Sequence, residues 1–504
     1  MRWKYATFFV CLMIVSGLCG YGIYAYMHRG PLDLTGQSTV TITLTKNGFV
    51  PNEIYINRGT TVVFNTTAGN PFWPASDLHP FHTIYSAFDP KGPVAATSTW
   101  SFTFDKDGHW SFHDHIGLAT GVIIVVPPGA TGDAKYDVLG VCDEPEQSGR
   151  AACYRQHILL ALDKKGLDGA MNEVASVYQN YPEFRPECHS FLHDLGLMAY
   201  KKYGEHVPPA NTMYCGQGFY HGYLESFLME RHGDIKPALA FCTAEAKRLG
   251  EKTVAGLQCM HGIGHSVMEY LLTTRPDLSN NSRNLQILLG LGVAECAAMP
   301  SPEGKFRCAD GAFDVFKAWV NVQSLQTVYT DVFSLDHPFA LCTPLHETWQ
   351  RDACVWEMAK ETLVIANHNT RTSLQSVMRA ARTWLDGTYM FSAITSVAFV
   401  SAANNVDMSD KKLVGLCASV VDTTLHSYCI AGLLRGVVFN GAPGTEGARG
   451  AELCHVRTLT SGEKTLCAKT LVTTLVNNYG EVARAAACAL VADIPGTDKL
   501  CTPQ

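Results

Sequence analysis

Histidines with metal-ligand spacing are concentrated in two short segments early in the chain. One segment reads Leu-His-Pro-Phe-His and contains His79 and His82, and the other reads Gly-His-Trp-Ser-Phe-His-Asp-His-Ile and contains His113, Asp114 and His115. Imidazole nitrogens and a carboxylate form a ligand set that suits Cu(II), Zn(II) and Fe(II). The sequence therefore predicts a metal site built from these five residues.

Strand geometry divides these five residues into two groups. Side chains alternate between the two faces of a strand, so His113 and His115 are expected to share one face and Asp114 to occupy the other. Asp114 with His79 then forms one partial site inside the fold. His82 joins the other two histidines nearer the surface or a subunit boundary. The spacing leaves open which partial site holds the metal.

The segment that carries these histidines has the pattern of short β-strands. From residue 38 to about residue 127 it contains no cysteine, and runs of β-branched residues at 39–44 and 60–64 are separated by the turn signals Asn47-Gly48 and Arg58-Gly59. Several short strands between turns favour a small sandwich or barrel. A Pro-Pro-Gly sequence at 127–129 then interrupts the chain.

The two histidine motifs, in this order, resemble those of the cupredoxin domains of multicopper oxidases. That family has His-Pro-x-His-x-His in one segment. In the other it has Gly-x-Trp-x-x-His-Cys-His-Ile, followed by glycine and an apolar strand. The resemblance covers residues 38–127 and includes Asn-Gly-Phe-Val-Pro at 47–51. It implies an all-β cupredoxin-like sandwich that binds copper and acts as an oxidoreductase or in electron transfer.

The resemblance also implies a role for each matching residue. His79 stands where the family has a histidine ligand of the blue copper, and Asp114 where it has the cysteine thiolate. His82, His113 and His115 stand where the family has ligands of the coupled copper cluster.

Two departures from the family pattern change the expected chemistry. Ile84 replaces the third histidine of the first motif, and no histidine or methionine lies between residues 116 and 126 to complete a blue site. A carboxylate in place of the soft thiolate removes the source of the blue colour. We therefore expect a colourless or pale copper site, with zinc or iron as the other metals that this ligand set accepts.

The N-terminal segment is typical of a membrane anchor. Arg2 and Lys4 precede residues 5–27, which carry no charge. This run is long enough to cross a hydrocarbon core of about 30 Å at about 1.5 Å per residue. The two charges favour export of the remaining chain, and a cleaved signal peptide is the alternative. The sequence predicts a transmembrane signal anchor at residues 1–30 and a periplasmic or cell-surface location.

After residue 137 the apolar pattern becomes helical up to the C-terminus. Of the 18 cysteines, all except Cys11 and Cys19 lie beyond the anchor, and most form pairs 11 to 13 positions apart. We expect each pair to join the end of one helix to the start of the next, which makes residues 138–504 an all-α domain of disulfide-stapled repeats. The expected pairs are Cys142/Cys153, Cys188/Cys215, Cys242/Cys259, Cys296/Cys308, Cys342/Cys354, Cys417/Cys429, Cys454/Cys467 and Cys488/Cys501.

A second histidine pattern accompanies these cysteines. The motif Cys-x-x-Gly-x-x-His-x-x-x-Glu occurs at 215–225 and again at 259–269, and His189 and His193 have the same i,i+4 spacing. Residues at this spacing can share a cation. Alternatively, the glycines allow tight helix crossings while the polar side chains bond between repeats. The candidate residues are His193, His221, Glu225, His261, His265 and Glu269.

Composition and missing motifs exclude several functions. The net charge of −7 and the lack of a basic stripe argue against a nucleic-acid partner. The chain has no Gly-x-Ser-x-Gly elbow and no phosphate-binding Gly-x-x-x-x-Gly-Lys loop.

The leading prediction is a membrane-anchored, extracytoplasmic copper protein that binds a protein partner or an electron donor or acceptor. The alternatives are a non-catalytic binding scaffold of helical repeats with a metal-binding tether domain, and a metal-dependent hydrolase that uses the helical His/Glu faces.

Overall fold

The computed structural model describes residues 31–77, 82, 85–117, 119–132, 147–208, 210, 212, 214–249, 254–278, 282–320, 333–385, 387–405, 408–441, 445–497 and 501. The chain divides into two compact units, Met1–Tyr154 and Arg155–Gln504. All the described strands lie in the first unit.

The described strands form two small sheets. The first sheet has the order β1 (Leu32–Asp33), β4 (Glu53–Asn57), β9 (Thr120–Val126), β8 (Gly108–Asp114) and β6 (Pro74–Ser76). The second has the order β3 (Gly48–Val50), β2 (Thr39–Thr45), β5 (Thr61–Thr66) and β7 (Trp100–Thr103). Both sheets are mixed, because β1–β4, β4–β9 and β2–β5 are parallel pairs and the other pairs are antiparallel.

An aromatic core joins the two sheets. Along β2 every second residue is buried, as the alternation of threonine with apolar residues predicts. The ring of Phe112 from the first sheet lies 5.5 Å from Phe64 and 4.8 Å from Phe49 of the second, measured between centroids. Burial of each such ring stabilises the fold by about 1.5–3 kcal/mol, so the two sheets are held face to face.

Fifteen α-helices are described after residue 146. They are α1 (Gln147–Asn180), α2 (Cys188–Tyr203), α3 (Phe219–Glu230), α4 (Ile235–Leu249), α5 (Ala255–Thr274), α6 (Ser282–Glu295), α7 (Pro302–Val320), α8 (Thr348–Ile365), α9 (Thr370–Trp384), α10 (Met390–Ala403), α11 (Asp410–Gly415), α12 (Thr423–Phe439), α13 (Glu446–Cys454), α14 (Ser461–Tyr479) and α15 (Arg484–Ala489). Helices α2, α3, α5, α7, α8, α10, α12 and α14 pack in this order, each against the next. Helices α4, α6, α9, α13 and α15 pack on members of this row. The second unit is therefore a stack of helical layers.

Glycines permit the closest helix crossings in the stack. A Cβ atom added at Gly222 of α3 would lie 1.8 Å from the carbonyl oxygen of His193 on α2. At Gly311 of α7 it would lie 1.9 Å from the carbonyl oxygen of His261 on α5. Because no larger residue fits against the opposing backbone, these glycines set the distance between neighbouring helices.

Among the described residues, seven disulfides with both cysteines in place connect successive elements of the stack. They are Cys188–Cys215, Cys242–Cys259, Cys296–Cys308, Cys342–Cys354, Cys417–Cys429, Cys454–Cys467 and Cys488–Cys501, all predicted pairs. Cys153 is also disulfide-bonded, and its predicted partner, Cys142, lies outside the described residues. Helices α9 and α10 occupy the long interval between Cys354 and Cys417.

The predicted fold class requires correction. No described helix is long and apolar enough to cross a membrane, so the predicted transmembrane element is not part of the described fold. The apolar helix α10, for example, has 14 residues and spans only about 21 Å. The predicted anchor at residues 1–30 lies outside the described residues. The described chain consists instead of two small mixed sheets and fifteen helices.

Candidate metal centres

The β unit brings three of the predicted histidines together. His82, His113 and His115, here called the β-triad, each offer one ring nitrogen, and these atoms all lie within 4.8 Å of one another. Nε2 of His82 is 2.8 Å from Nδ1 of His115, and the rings of His82 and His113 are 5.3 Å apart between centroids. Three imidazoles at these distances could hold one metal ion.

Main-chain contacts position each residue of the β-triad. His113 lies near the end of β8, opposite Ala75 of β6. His115 follows the strand, and its backbone N–H donates to the carbonyl oxygen of Trp73 at 2.7 Å. His82 has a φ of 52°, which is uncommon for a residue with a Cβ, and its carbonyl oxygen accepts a hydrogen bond of 3.0 Å from the Ser76 hydroxyl. The turn at His82 therefore lies beside β6, to which Ser76 belongs.

Two carboxylates orient the rings of the β-triad. Nδ1 of His82 lies 2.7 Å from Oδ2 of Asp89, and Nδ1 of His113 lies 2.6 Å from Oδ1 of Asp77. A carboxylate accepts the Nδ1 proton and leaves the lone pair on Nε2 of the same ring. Histidines that ligate metals usually have such a partner on the other nitrogen.

Asp89 is held in the ionised form. Burial disfavours its charge, but hydrogen bonding and charge from His82, with a further hydrogen bond from Trp73, outweigh burial and hold the pKa of Asp89 well below its usual range. Nζ of Lys91 also lies 2.9 Å from Oδ2. The proton between Asp89 and His82 therefore stays on the histidine.

Trp73 covers one side of the β-triad. Its indole ring lies 4.3 Å from the ring of His115 between centroids, and its indole N–H donates to Asp89 at 2.8 Å. His82 and His113 are buried, whereas His115 is partly exposed. Of the three rings, that of His115 is therefore the one most open to solvent.

The other two predicted ligands of the β unit are Asp114 and His79. Asp114 is buried, and its Oδ1 accepts a hydrogen bond of 2.7 Å from the backbone N–H of Trp73. Burial raises the pKa of Asp114, although this hydrogen bond and the charge of His113 oppose the shift. His79 lies outside the described residues, so its predicted pairing with Asp114 stays a prediction.

A second cluster lies in the helical unit. His189 and His193 of α2 and His221 of α3, here called the helical triad, also place one nitrogen each within 4.8 Å of the others. Nε2 of His193 lies 3.1 Å from Nε2 of His189 and 2.8 Å from Nδ1 of His221. Burial lowers the pKa of His189, and burial together with the neighbouring histidines lowers that of His221 further, so both rings are neutral near neutral pH.

Two histidines of α5 flank the helical triad. The rings of His261 and His265 stack on His221 at centroid distances of 4.8 and 4.7 Å. Nδ1 of His261 lies 3.0 Å from Asp310, and its Nε2 lies 3.8 Å from Asp314. Burial disfavours the charged ring, but these carboxylates outweigh burial and raise the pKa of His261 to about 9. His261 is therefore a charged partner of two aspartates.

The remaining helical candidates fall outside the helical triad. Glu225 is buried and Glu269 is partly exposed, and neither belongs to a group of described residues with metal-ligand distances. His189, whose spacing to His193 is visible in the sequence, completes the triad instead. Sequence reasoning missed the supporting carboxylates Asp77 and Asp89, which no motif marks.

Comparisons with protein-family models, with curated proteins and with solved structures found no match. The chemistry of the two triads therefore has to be argued from their own geometry.

Proposed function

We propose that this protein binds copper at the β-triad and that the bound ion has a redox role. The observation that carries this proposal is the pair of contacts between Asp89 and His82 and between Asp77 and His113, at 2.7 and 2.6 Å. These contacts fix two imidazoles with their Nε2 lone pairs available, the arrangement that metal ligands need.

The choice of copper is supported by the ligand chemistry and by the sequence motifs. Three imidazoles suit Cu(II) as well as Zn(II). The spacing of His82, His113 and His115 resembles that of copper ligands in the cupredoxin domains of multicopper oxidases. Because no thiolate stands beside these histidines, the copper protein is expected to be pale.

A redox role is supported by the environment of the β-triad. Trp73 shields the site on one side, and the partly exposed ring of His115 offers a short path to a reductant or a partner protein. Three nitrogen donors leave room for the coordination number to change with the oxidation state of copper. The seven disulfides support an extracytoplasmic location, where such bonds persist.

A copper titration of the full chain tests the binding proposal. The His113→Ala variant is expected to bind one equivalent of copper less than the wild type. His109→Ala, on the same strand but outside the β-triad, is the matched control and is expected to bind as the wild type does. Equal copper content in His113→Ala and wild type would refute the site, and a strong band at about 600 nm would refute its non-blue character.

The redox role has its own test. Copper bound to the β-triad is expected to lose its Cu(II) electron paramagnetic resonance signal on addition of ascorbate and to regain it in air, over repeated cycles. A signal that ascorbate leaves unchanged, or copper released from the protein on reduction, would contradict a redox role while leaving copper binding intact.

A further inference from the structure

The helical triad is formed where α2 and α3 touch. A Cβ added at Gly218 would lie 2.4 Å from the carbonyl oxygen of His189, and one at Gly222 would lie 1.8 Å from that of His193. These two glycines therefore bring the i,i+4 histidine pair of α2 within reach of His221. The three rings are positioned by backbone packing of the two helices.

The tautomer of His189 is fixed by the main chain. Its Nδ1 lies 2.9 Å from the carbonyl oxygen of Cys215, which can only accept a hydrogen bond. Nδ1 therefore carries the proton, and Nε2 presents a lone pair to His193. A backbone carbonyl on the second nitrogen is one of the usual partners of a metal-ligating histidine.

Three ring nitrogens converge at the centre of the helical triad. Nε2 of His193 contacts two nitrogens, Nε2 of His189 at 3.1 Å and Nδ1 of His221 at 2.8 Å. A neutral imidazole whose proton lies on its other ring nitrogen presents a lone pair at this point. In that state of His193 and His221, one metal ion between the rings accepts all three lone pairs.

The surroundings accommodate the added charge. His261 stacks on His221, and its two nitrogens face Asp310 and Asp314, whose negative charges offset that of the ring. His189 is partly exposed, which gives an ion a route into a site whose other two rings are buried.

We propose that the helical triad is a second metal centre, which binds one divalent transition ion of the zinc class through Nε2 of His189, Nε2 of His193 and Nδ1 of His221. Three protein nitrogens leave the fourth tetrahedral position open to water or another ligand, the arrangement of catalytic rather than structural zinc sites. This centre lies in a different unit from the β-triad, and its occupancy does not depend on the copper proposal.

The test uses the full chain with its disulfides intact, stripped of metal by a chelator and titrated with Zn²⁺ and, separately, Co²⁺. The His113→Ala variant, which lacks the complete β-triad, is expected to bind one equivalent of either ion, with the visible bands of tetrahedral Co²⁺. The double variant His113→Ala with His221→Ala is expected to bind neither Zn²⁺ nor Co²⁺ and to show no Co²⁺ bands. His206 is an exposed histidine of the same unit, and the double variant His113→Ala with His206→Ala is expected to bind the ion and to show the Co²⁺ bands as His113→Ala alone does.

Two results would overturn the proposal. One is a His113→Ala protein that is folded by near-ultraviolet circular dichroism but binds no Zn²⁺ or Co²⁺; this result needs no variant of the helical triad. The other is binding that survives both His221→Ala and His193→Ala. Loss of copper from the β-triad in His113→Ala has no bearing on either result, so the two proposals fail separately.

Discussion

Residues that contact the histidines of the β-triad determine the tautomer and orientation of their rings. Asp77 and Asp89 accept the Nδ1 protons of His113 and His82 and thereby leave Nε2 of each ring as the nitrogen available to a metal ion. Trp73 connects two carboxylates, because its indole N–H donates a hydrogen bond to Asp89 and its backbone N–H donates one to Asp114. The proposed metal site thus depends on residues outside the β-triad.

Removing the charge of either carboxylate should weaken copper binding without removing a ligand. We expect Asp89→Asn and Asp77→Asn to lower copper affinity about 10–100-fold, because a neutral amide supports the imidazole less strongly. Competition with a chelator of known affinity measures the change. Asp107→Asn, at an exposed carboxylate paired with Arg58, serves as the control. Unchanged affinity in both buried variants would show that the carboxylates have no role in binding.

The sequence predicts the ligands of the β-triad better than their supports. His113 and His115 lie two positions apart, so a strand places them together whatever the rest of the fold does. Asp77 and Asp89 are brought to the histidines by long-range packing and by the turn at His82, which no local pattern encodes. The helical triad shows the same limit, because i,i+4 spacing relates His189 to His193 but does not reveal that α3 brings His221 to them.

At the scale of elements, glycines at helix crossings determine the spacing of the stack. Gly311→Ala is expected to destabilise the protein by about 3 kcal/mol, since the new methyl group would lie 1.9 Å from the His261 carbonyl oxygen. Gly290→Ala is the matched control, because nothing lies within 4 Å of its Cβ position on α6. This control is expected to gain about 0.5–1 kcal/mol through helix propensity. Similar denaturant midpoints for the two variants would show that Gly311 does not determine the spacing of these helices.

The start of α14 contains a charge-dependent cap. Backbone N–H and hydroxyl of Thr460 each donate to Glu463 at 2.8 Å, and Nδ1 of His426 lies 2.5 Å from the same carboxylate. Although burial opposes it, these contacts lower the pKa of Glu463 below 4.5. The stabilisation is therefore present above about pH 4.5 and is lost as the pH falls through the lower folded-state pKa.

A pH series measures the contribution of this cap. Glu463→Gln is expected to lower the free energy of unfolding by about 0.5 kcal/mol at neutral pH, because a charge near a helix N-terminus is removed while an acceptor oxygen is kept. The difference from the wild type should vanish below the folded-state pKa. A difference that stays constant down to about pH 2 would show that the charge of Glu463 is not the cause.

In the helical unit as a whole, disulfides link the layers of a stack in which each layer contacts mainly its neighbours. Their pairing follows from the spacing of the cysteines, because each bridge closes a short local loop between successive elements. The mixed sheets could not be predicted in this way, since strand order depends on contacts between distant parts of the chain.

Removal of one bridge should act locally. We expect the double variant Cys296→Ser with Cys308→Ser to lose about 3 kcal/mol, the entropy that a loop of 12 residues restricts. Hydrogen exchange should rise in α6 and α7 and remain unchanged in α12 to α14, because coupling in a stack passes between neighbours. Uniformly faster exchange would indicate that the unit unfolds as one cooperative body.

The proposed function rests on the binding of one copper ion by the imidazoles of His82, His113 and His115. Pulsed electron paramagnetic resonance of the Cu(II) protein measures this directly, because remote imidazole nitrogens modulate the echo in proportion to their number. On a His221→Ala background, we expect the modulation pattern of three imidazoles, and we expect His113→Ala to remove the bound copper together with its Cu(II) signal. A spectrum without imidazole modulation, or one unchanged by His113→Ala, would contradict it.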